Sequence, residues 1–294
     1  MAQPIKQIMA RKFLLLLLLP VFSWAQFKTI IQDSETKEPV PYVNISIDGK
    51  SMEFNADENG IFTLPETKDA KTISLSAVGY ADTSFNITDV NKIIFLQPQP
   101  IQLSEIAIKS KKRENSAVIN TVKKAKNTWM GAGGGNNGSL MHARFIPYKA
   151  EYAATPYIDK IRFTIDFNRE ATFNVRLYTV NSDGSPGAYL YDENILVNVR
   201  PKQKHADINL SKVSLKVPEE GFFVVFEHIA IKPNRLIPSN EDKFPAYSYT
   251  YGPTFLCGFS TEKIGWSYKN GKWQENAATP KGYGTALIEI TLTD

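Results

Sequence analysis

Apolar and polar residues alternate through most of this chain, a period of two that predicts β-strands rather than helices. Val43, Ile45 and Ile47 set the pattern, and Ile61–Leu64, then Ile73, Leu75 and Ala77, then Phe85–Ile87 and Ile93–Leu96 continue it. Asp48-Gly49 and Asp57-Glu58-Asn59-Gly60 fall between these runs, and Asn-Gly favours the positive φ of a hairpin turn. The pattern returns from Met141: Ile161, Phe163, Ile165 and Phe167 alternate, as do Phe173, Val175 and Leu177, and Ile195, Val197 and Val199. A long apolar run at Gly221–Ile231, then Tyr247–Phe259, Ile264–Tyr268 and Ala286–Leu292, completes the series. Strands of about five residues with turns every 8–12 predict an all-β protein of two sandwiches, the first immunoglobulin-like and the second jelly-roll-like.

Two stretches break the alternation. Lys6, Arg11 and Lys12 precede the apolar run Phe13–Leu19, and Ser23-Trp24-Ala25 supplies small residues at −3 and −1. Residues 1–25 therefore read as a secretory signal peptide, with an apolar part too short to span a bilayer. Between the sandwiches, Val118, Val122, Ala125 and Trp129 recur at i, i+4, i+7 and i+11 amid seven basic residues from Lys109 to Lys126. That spacing predicts a short basic helix with a narrow apolar stripe. Such a helix lies on an anionic membrane surface, or links two domains with its lysines solvated and Trp129 docked. The thinness of the stripe favours the linker. Gly131–Gly138 reads as a flexible hinge. The expected organisation is thus a leader to residue 25, a β-sandwich over 26–108, a basic helix and Gly-rich linker over 109–139, and a second sandwich over 140–294.

Composition changes this picture only in its exclusions. The 294 residues, 43% hydrophobic and 12% aromatic, suffice for one or two buried cores. Removing the leader deletes three positive and no negative charges, which takes the net charge from +4 to about +1 and leaves little attraction for nucleic acid. Cys257 is the single cysteine, so no intramolecular disulfide can form, and Gln26 stands where a lipid-anchored protein needs cysteine. No segment after the leader is long and apolar enough to predict a transmembrane helix.

Three blocks of the first sandwich carry a family likeness. Pro39-Val40-Pro41-Tyr42-Val43-Asn44-Ile45, then Ala56-Asp57-Glu58-Asn59-Gly60-Ile61-Phe62, then Ser76-Ala77-Val78-Gly79-Tyr80 occur in order. Together they resemble the carboxypeptidase regulatory-like domain. Leu103–Ile108 resembles the segment that follows this module in TonB-dependent outer-membrane receptors of Gram-negative bacteria. The resemblance covers residues 27–108. It implies a transthyretin-like β-sandwich that serves as an accessory module rather than a peptidase, in a protein of the periplasm, outer membrane or cell surface. A receptor barrel does not fit in the residues that follow.

No catalytic constellation stands out. Gly133-x-Gly135-x-x-Gly138 has the letters of a dinucleotide fingerprint but follows a predicted helix and precedes a strand, the reverse of the order a pyrophosphate site needs. Asn55-x-Asp57-x-Asn59-Gly60 with Glu66 approaches a calcium loop, but its flanks are strands and the hairpin already accounts for Gly60. His142, His205 and His228 lack zinc-peptidase spacing, and strand alternation sets His228 and Glu227 on opposite faces. The expectation is therefore no cofactor, no metal and no catalytic residue. Tyr249, Tyr251, Trp266, Tyr268 and Trp273 crowd near hairpins and are the candidate ligand-binding residues. Amphipathic rings in a row stack on sugar or grip peptide, and they equally fill the second face of a sandwich core. The expected function is an exported, non-enzymatic envelope protein with a binding or accessory role toward a glycan or a protein partner. The alternative is an accessory hydrolase of carbohydrate or peptide whose carboxylates meet only in the fold.

Overall fold

The computed structural model of the chain describes residues 28–47, 52–64, 71–99, 114–121, 128–131, 141–167, 169–191, 193–236, 250–269 and 272–294. The expected leader, and all of the Gly-rich stretch but Gly131, lie outside the described residues. The first module holds β1 (Lys28–Asp33), β2 (Asn44–Ile47), β3 (Met52–Asn55), β4 (Ile61–Thr63), β5 (Thr72–Ser76), β6 (Thr83–Asn86) and β7 (Ile93–Leu96). They form two sheets, ordered β4-β1-β7 and β3-β2-β5-β6, with β7 parallel to β1. The alternating residues meet between the sheets as Ile31, Val43, Ile45, Phe62, Ile73, Leu75 and Leu96, all buried. Gly60 lies at φ +70°, where a Cβ would come within 2.7 Å of the Ile31 carbonyl oxygen, so both conformation and space require glycine. The Asp57 Oδ1 holds the turn by accepting from the amides of Asn59 and Ile61, both at 2.9 Å. That bonding occupies the carboxylate of the calcium-like sequence in a turn that joins β3 to β4, strands of different sheets, rather than in the expected hairpin.

The predicted connecting helix is not formed by the described residues. Ser116–Ile119 is instead a strand, β8, and Trp129–Gly131 is another, β9. Ala117 and Ile119 lie opposite Leu292 and Ile290 of the second sandwich, so a two-residue period half-buries them while Val118 stands exposed. A sheet edge that needs a partner has overridden the helical spacing. The basic residues Lys109–Arg113 and Lys123–Lys126, on which a membrane-surface contact would rest, lie outside the described residues.

The second module comprises β10 (Met141–Ile146), β11 (Tyr157–Asp166), β12 (Ala171–Val180), β13 (Pro186–Tyr189), β14 (Ile195–Val199), β15 (His205–Asn209) and β16 (Phe222–His228). After these come β17 (Arg235–Leu236), β18 (Thr250–Tyr251), β19 (Thr254–Ser260), β20 (Gly265–Lys269) and β21 (Lys272–Glu275). The last strands are β22 (Ala278–Thr279), β23 (Gly282–Ala286) and β24 (Ile288–Thr293). One sheet runs β13-β12-β16-β10-β20-β21 with β14 also on β12; the other runs β22-β23-β19-β11-β24-β8 with β15 on β11 and β9 on β19. The sheets enclose a core in which Phe163, Phe173, Phe226 and Phe255 pack mostly edge-to-face, at centroid separations from 4.1 to 6.1 Å. The protein is all-β, as the alternation predicts. Among the described residues no helix is long and apolar enough to cross a membrane, which says nothing of crossing by strands.

One pair in the first module gives a test by pH. Tyr80 donates its hydroxyl to Asp33 Oδ2 at 2.9 Å, and Asp33 Oδ1 accepts from the amides of Glu35 and Thr36. Burial, reinforced by that carboxylate, pushes the Tyr80 phenol from 10.0 up to about 12. A raised phenol favours the neutral form in the fold. Its stabilisation is therefore complete below the ordinary value and lost as the pH climbs from about 10 to 12. Tyr80→Phe should cost ~1 kcal/mol at neutral pH and flatten the alkaline decline, read from urea unfolding of the full chain at pH 7, 9 and 11.

Candidate functional site

Strand β16 reads FFVVFEH, apolar at successive positions, and all seven of its residues are buried. A strand of that kind has cover on both faces. Phe222, Val224 and Phe226 face the main core, while Phe223 and Val225 join Met141, Ala143, Tyr178 and Trp266 in a second cluster on the opposite face. Phe145, Tyr189, Tyr268 and Trp273 border this cluster and are partly exposed. The structure thus brings three of the candidate aromatics, Trp266, Tyr268 and Trp273, into one group with Tyr178 and Tyr189.

The geometry of the group shows how the sheet bends. Tyr178 on β12 and Trp273 on β21 are four strand steps apart, about 19 Å in a flat sheet. Their ring centroids are 5.8 Å apart. The sheet therefore curls, and this face is its concave side. Tyr268 meets Trp273 at 5.2 Å and 67°, and Tyr178 meets Tyr189 at 4.7 Å. Trp266, 8% exposed, is floor rather than rim. Tyr268, Trp273 and Tyr189 keep one edge toward solvent.

Tyr251 is not part of this group. It lies on β18, which pairs with β17 in a separate two-stranded ribbon where Tyr251 faces Arg235. Tyr249 lies outside the described residues. The sequence places these tyrosines close to Trp266 along the chain, but the ribbon carries Tyr251 to another part of the fold.

Asn174, Arg176 and Tyr178 alternate along the concave face of β12, and all three are buried. Glu227 on β16 closes a charge pair there: its Oε2 accepts from Arg176 Nε at 2.8 Å and lies 2.6 Å from Nη2. The same oxygen accepts from Asn174 Nδ2 at 3.3 Å, and Oε1 accepts from Asn44 Nδ2, from the first module, at 3.4 Å. Arg176 Nη1 donates to the Tyr189 hydroxyl at 2.7 Å. Burial works against the Arg176 charge, but the Glu227 carboxylate outweighs it and holds the guanidinium's proton affinity well above the ordinary value. Burial, reinforced by Tyr189, keeps the Tyr178 phenol neutral well above its usual range.

The groups with nucleophile or general-acid character are held in other ways. Asn276 Nδ2 donates to the Gly284 carbonyl at 2.8 Å, so its Oδ1 accepts the Ser267 hydroxyl proton at 2.7 Å. His142 Nδ1, 3.1 Å from the same hydroxyl oxygen, is then the donor. That polarity is the reverse of nucleophile activation, in which the imidazole takes the hydroxyl proton. Burial pushes the Cys257 thiol up to about 11, which keeps it protonated at neutral pH. Further carboxylates of the second module face cations, among them Asp207 and Glu289 on Arg162, Asp166 on Lys204 and Glu275 on Lys263. The Arg162 hydrogen bond holds Asp207 below the usual carboxylate range, whereas a general acid needs the opposite shift. Among the described residues no group of three or more His, Cys, Asp and Glu side chains is placed to hold a metal ion.

Sequence reasoning overlooked Tyr178, Tyr189 and Arg176. The unbroken apolar run Phe222–Phe226 was a usable signal, since a strand apolar on both sides needs cover on both.

Comparisons with known proteins fit this layout in part. Residues 29–111 match the CarboxypepD_reg-like domain family, so the first module is of the kind its three sequence blocks resemble. No curated protein matches the chain. Two solved structures are similar to part of the chain. One is a clostridial cysteine protease, Cwp84, after propeptide cleavage, with TM-score 0.39 and 13% identity over 63% of this chain and 41% of that one. The other holds the cysteine protease and lectin-like domains of Cwp84, a surface layer associated protein of Clostridium difficile, with TM-score 0.33 and 14% identity over 58% of this chain and 37% of that one. The chain therefore spans about two fifths of the length of either structure.

Floor and rim separate by substitution. Trp266→Ala should cost about 3–5 kcal/mol, as for a buried aromatic, and Trp273→Ala about 1–2 kcal/mol because its ring is half-buried; urea unfolding measures both. Iodoacetamide at pH 7.5 should leave Cys257 largely unmodified until denaturant is added, read by intact mass.

Proposed function

We propose that the protein is an exported, non-enzymatic component of a Gram-negative envelope, and that its second sandwich binds a glycan or a protein partner on the concave aromatic face. The observation that carries this reading is the convergence of Tyr189, Tyr268 and Trp273 on one rim above a buried floor of Tyr178, Phe223 and Trp266. Each rim ring has an apolar face and a hydrogen-bonding edge, a combination that suits a ligand with alternating apolar and hydroxylated surfaces, such as a pyranose, or the aromatic side chain of a partner. The buried floor fixes the rim rings before the ligand arrives, so little side-chain entropy is lost on binding. Export is supported by the basic and apolar pattern of residues 1–25, and the accessory role by the CarboxypepD_reg-like first module.

A glycan, peptidoglycan and envelope-protein array probed with the full chain tests the reading. Trp273→Ala and Tyr268→Ala, each first shown to retain a cooperative melt, should weaken the signal at least tenfold. A signal that survives both substitutions, or no signal on any element of the array, contradicts a ligand face at this rim.

A further inference from the structure

Asparagine favours exposure, yet Asn44 and Asn55 are 7% and 6% exposed. They lie directly opposite one another on β2 and β3, forming one polar rung of that hairpin. Both side chains bond to the second module rather than to each other. Asn44 Nδ2 donates to Glu227 Oε1 at 3.4 Å, and Asn55 Oδ1 accepts the Ala230 amide at 2.8 Å. Asn55 Nδ2 donates to the Tyr42 carbonyl at 3.2 Å, which fixes the amide so that its oxygen points at Ala230. Ala230 lies just past the end of β16, where the ladder no longer satisfies backbone donors, so the rung caps that strand end.

The contact does not stop at Glu227. The carboxylate is held by Arg176, and Arg176 donates onward to the hydroxyl of Tyr189 at 2.7 Å, with its guanidinium 5.7 Å from that ring. Tyr189 is one of the three rim rings. A continuous chain of hydrogen bonds therefore runs from the first module through a buried ion pair to the concave face, and the two steps that Arg176 makes are short, charge-assisted bonds. We propose that the Asn44–Asn55 rung latches the first module onto the second, and that Glu227 and Arg176 transmit its docking to Tyr189, so that the accessory module sets the position of the aromatic rim. Asn44, Asn55, Glu227 and Arg176 are positioning residues in this scheme. The latch stands independently of any ligand for the rim.

Hydrogen exchange of the full chain, followed by mass spectrometry, reads both ends without a ligand. In the Asn44→Ala/Asn55→Ala variant, peptides covering 224–230 and 186–191 should both exchange about ten- to a hundredfold faster, the factor that goes with losing hydrogen bonds to a buried charge. Peptides from 158–165, in the opposite sheet, serve as the unchanged reference. Acceleration at 224–230 alone overturns the transmission, and no acceleration at either overturns the latch. Should that variant fail to fold, Tyr189→Phe probes the same chain from the other end. Coupling between two sites is reciprocal, so faster exchange at 44–47 supports the proposal and an unchanged rate there overturns it. Absence of any array signal, with the expected acceleration at both peptides, would count against the ligand reading and leave the latch standing.

Discussion

Moving a guanidinium and a carboxylate out of water costs several kcal/mol per ion even after relaxation, and Arg176 and Glu227 are 4% and 1% exposed. Their mutual attraction offsets that cost only if every remaining donor and acceptor finds a partner. Much of the surrounding architecture answers that requirement. Asn174 supplies a donor from the same strand as Arg176, Tyr189 accepts from the guanidinium, and Asn44 reaches across from another module to the second carboxylate oxygen. The curl of the sheet carries Trp273 over Tyr178 and closes the face around the pair. A hydrophobic pair of equal volume could be at least as stable. What the ionic pair adds is direction, since only one placement of the first module and of Tyr189 satisfies it.

The two modules thus differ from domains strung on a linker. A CarboxypepD_reg-like sandwich, matched over residues 29–111, touches the second sandwich through buried polar groups. Strand β8 closes one edge of the second sandwich beside β24. Asp294 Oδ1 accepts from the amides of Glu114 and Asn115 just before β8, and Ile119, opposite Ile290, packs half-buried against the core. Strands β8 and β24, far apart in sequence, therefore meet at one sheet edge.

Much of this was legible in the sequence where a residue's partner is its own neighbour. Period-two alternation located the strands of both sandwiches, and Asn59-Gly60 marked a turn whose positive φ only glycine meets without strain. The reading failed where a distant partner decides. Val118 and Trp129 have helical spacing, but β24 offered an open edge and Asn115 a tether to Asp294, so the segment became a strand. The aromatic group was half visible: Trp266, Tyr268 and Trp273 are close in sequence, whereas Tyr178 and Tyr189 join them only because the sheet curls. Arg176 offered no local sign of burial, since its cover comes from strands 13 and 51 residues away.

The most direct test of this account is a double-mutant cycle on the buried pair, using Arg176→Met, Glu227→Leu and the two together, measured by urea unfolding of the full chain. Each single change leaves one charge buried without its counterion and should cost about 3–5 kcal/mol. The double change removes both charges and should cost far less than the sum, with a coupling of at least about 2 kcal/mol. Additivity within about 0.5 kcal/mol would mean that the two charges do not depend on each other, and the account of the concave face and of the module junction would fail with it.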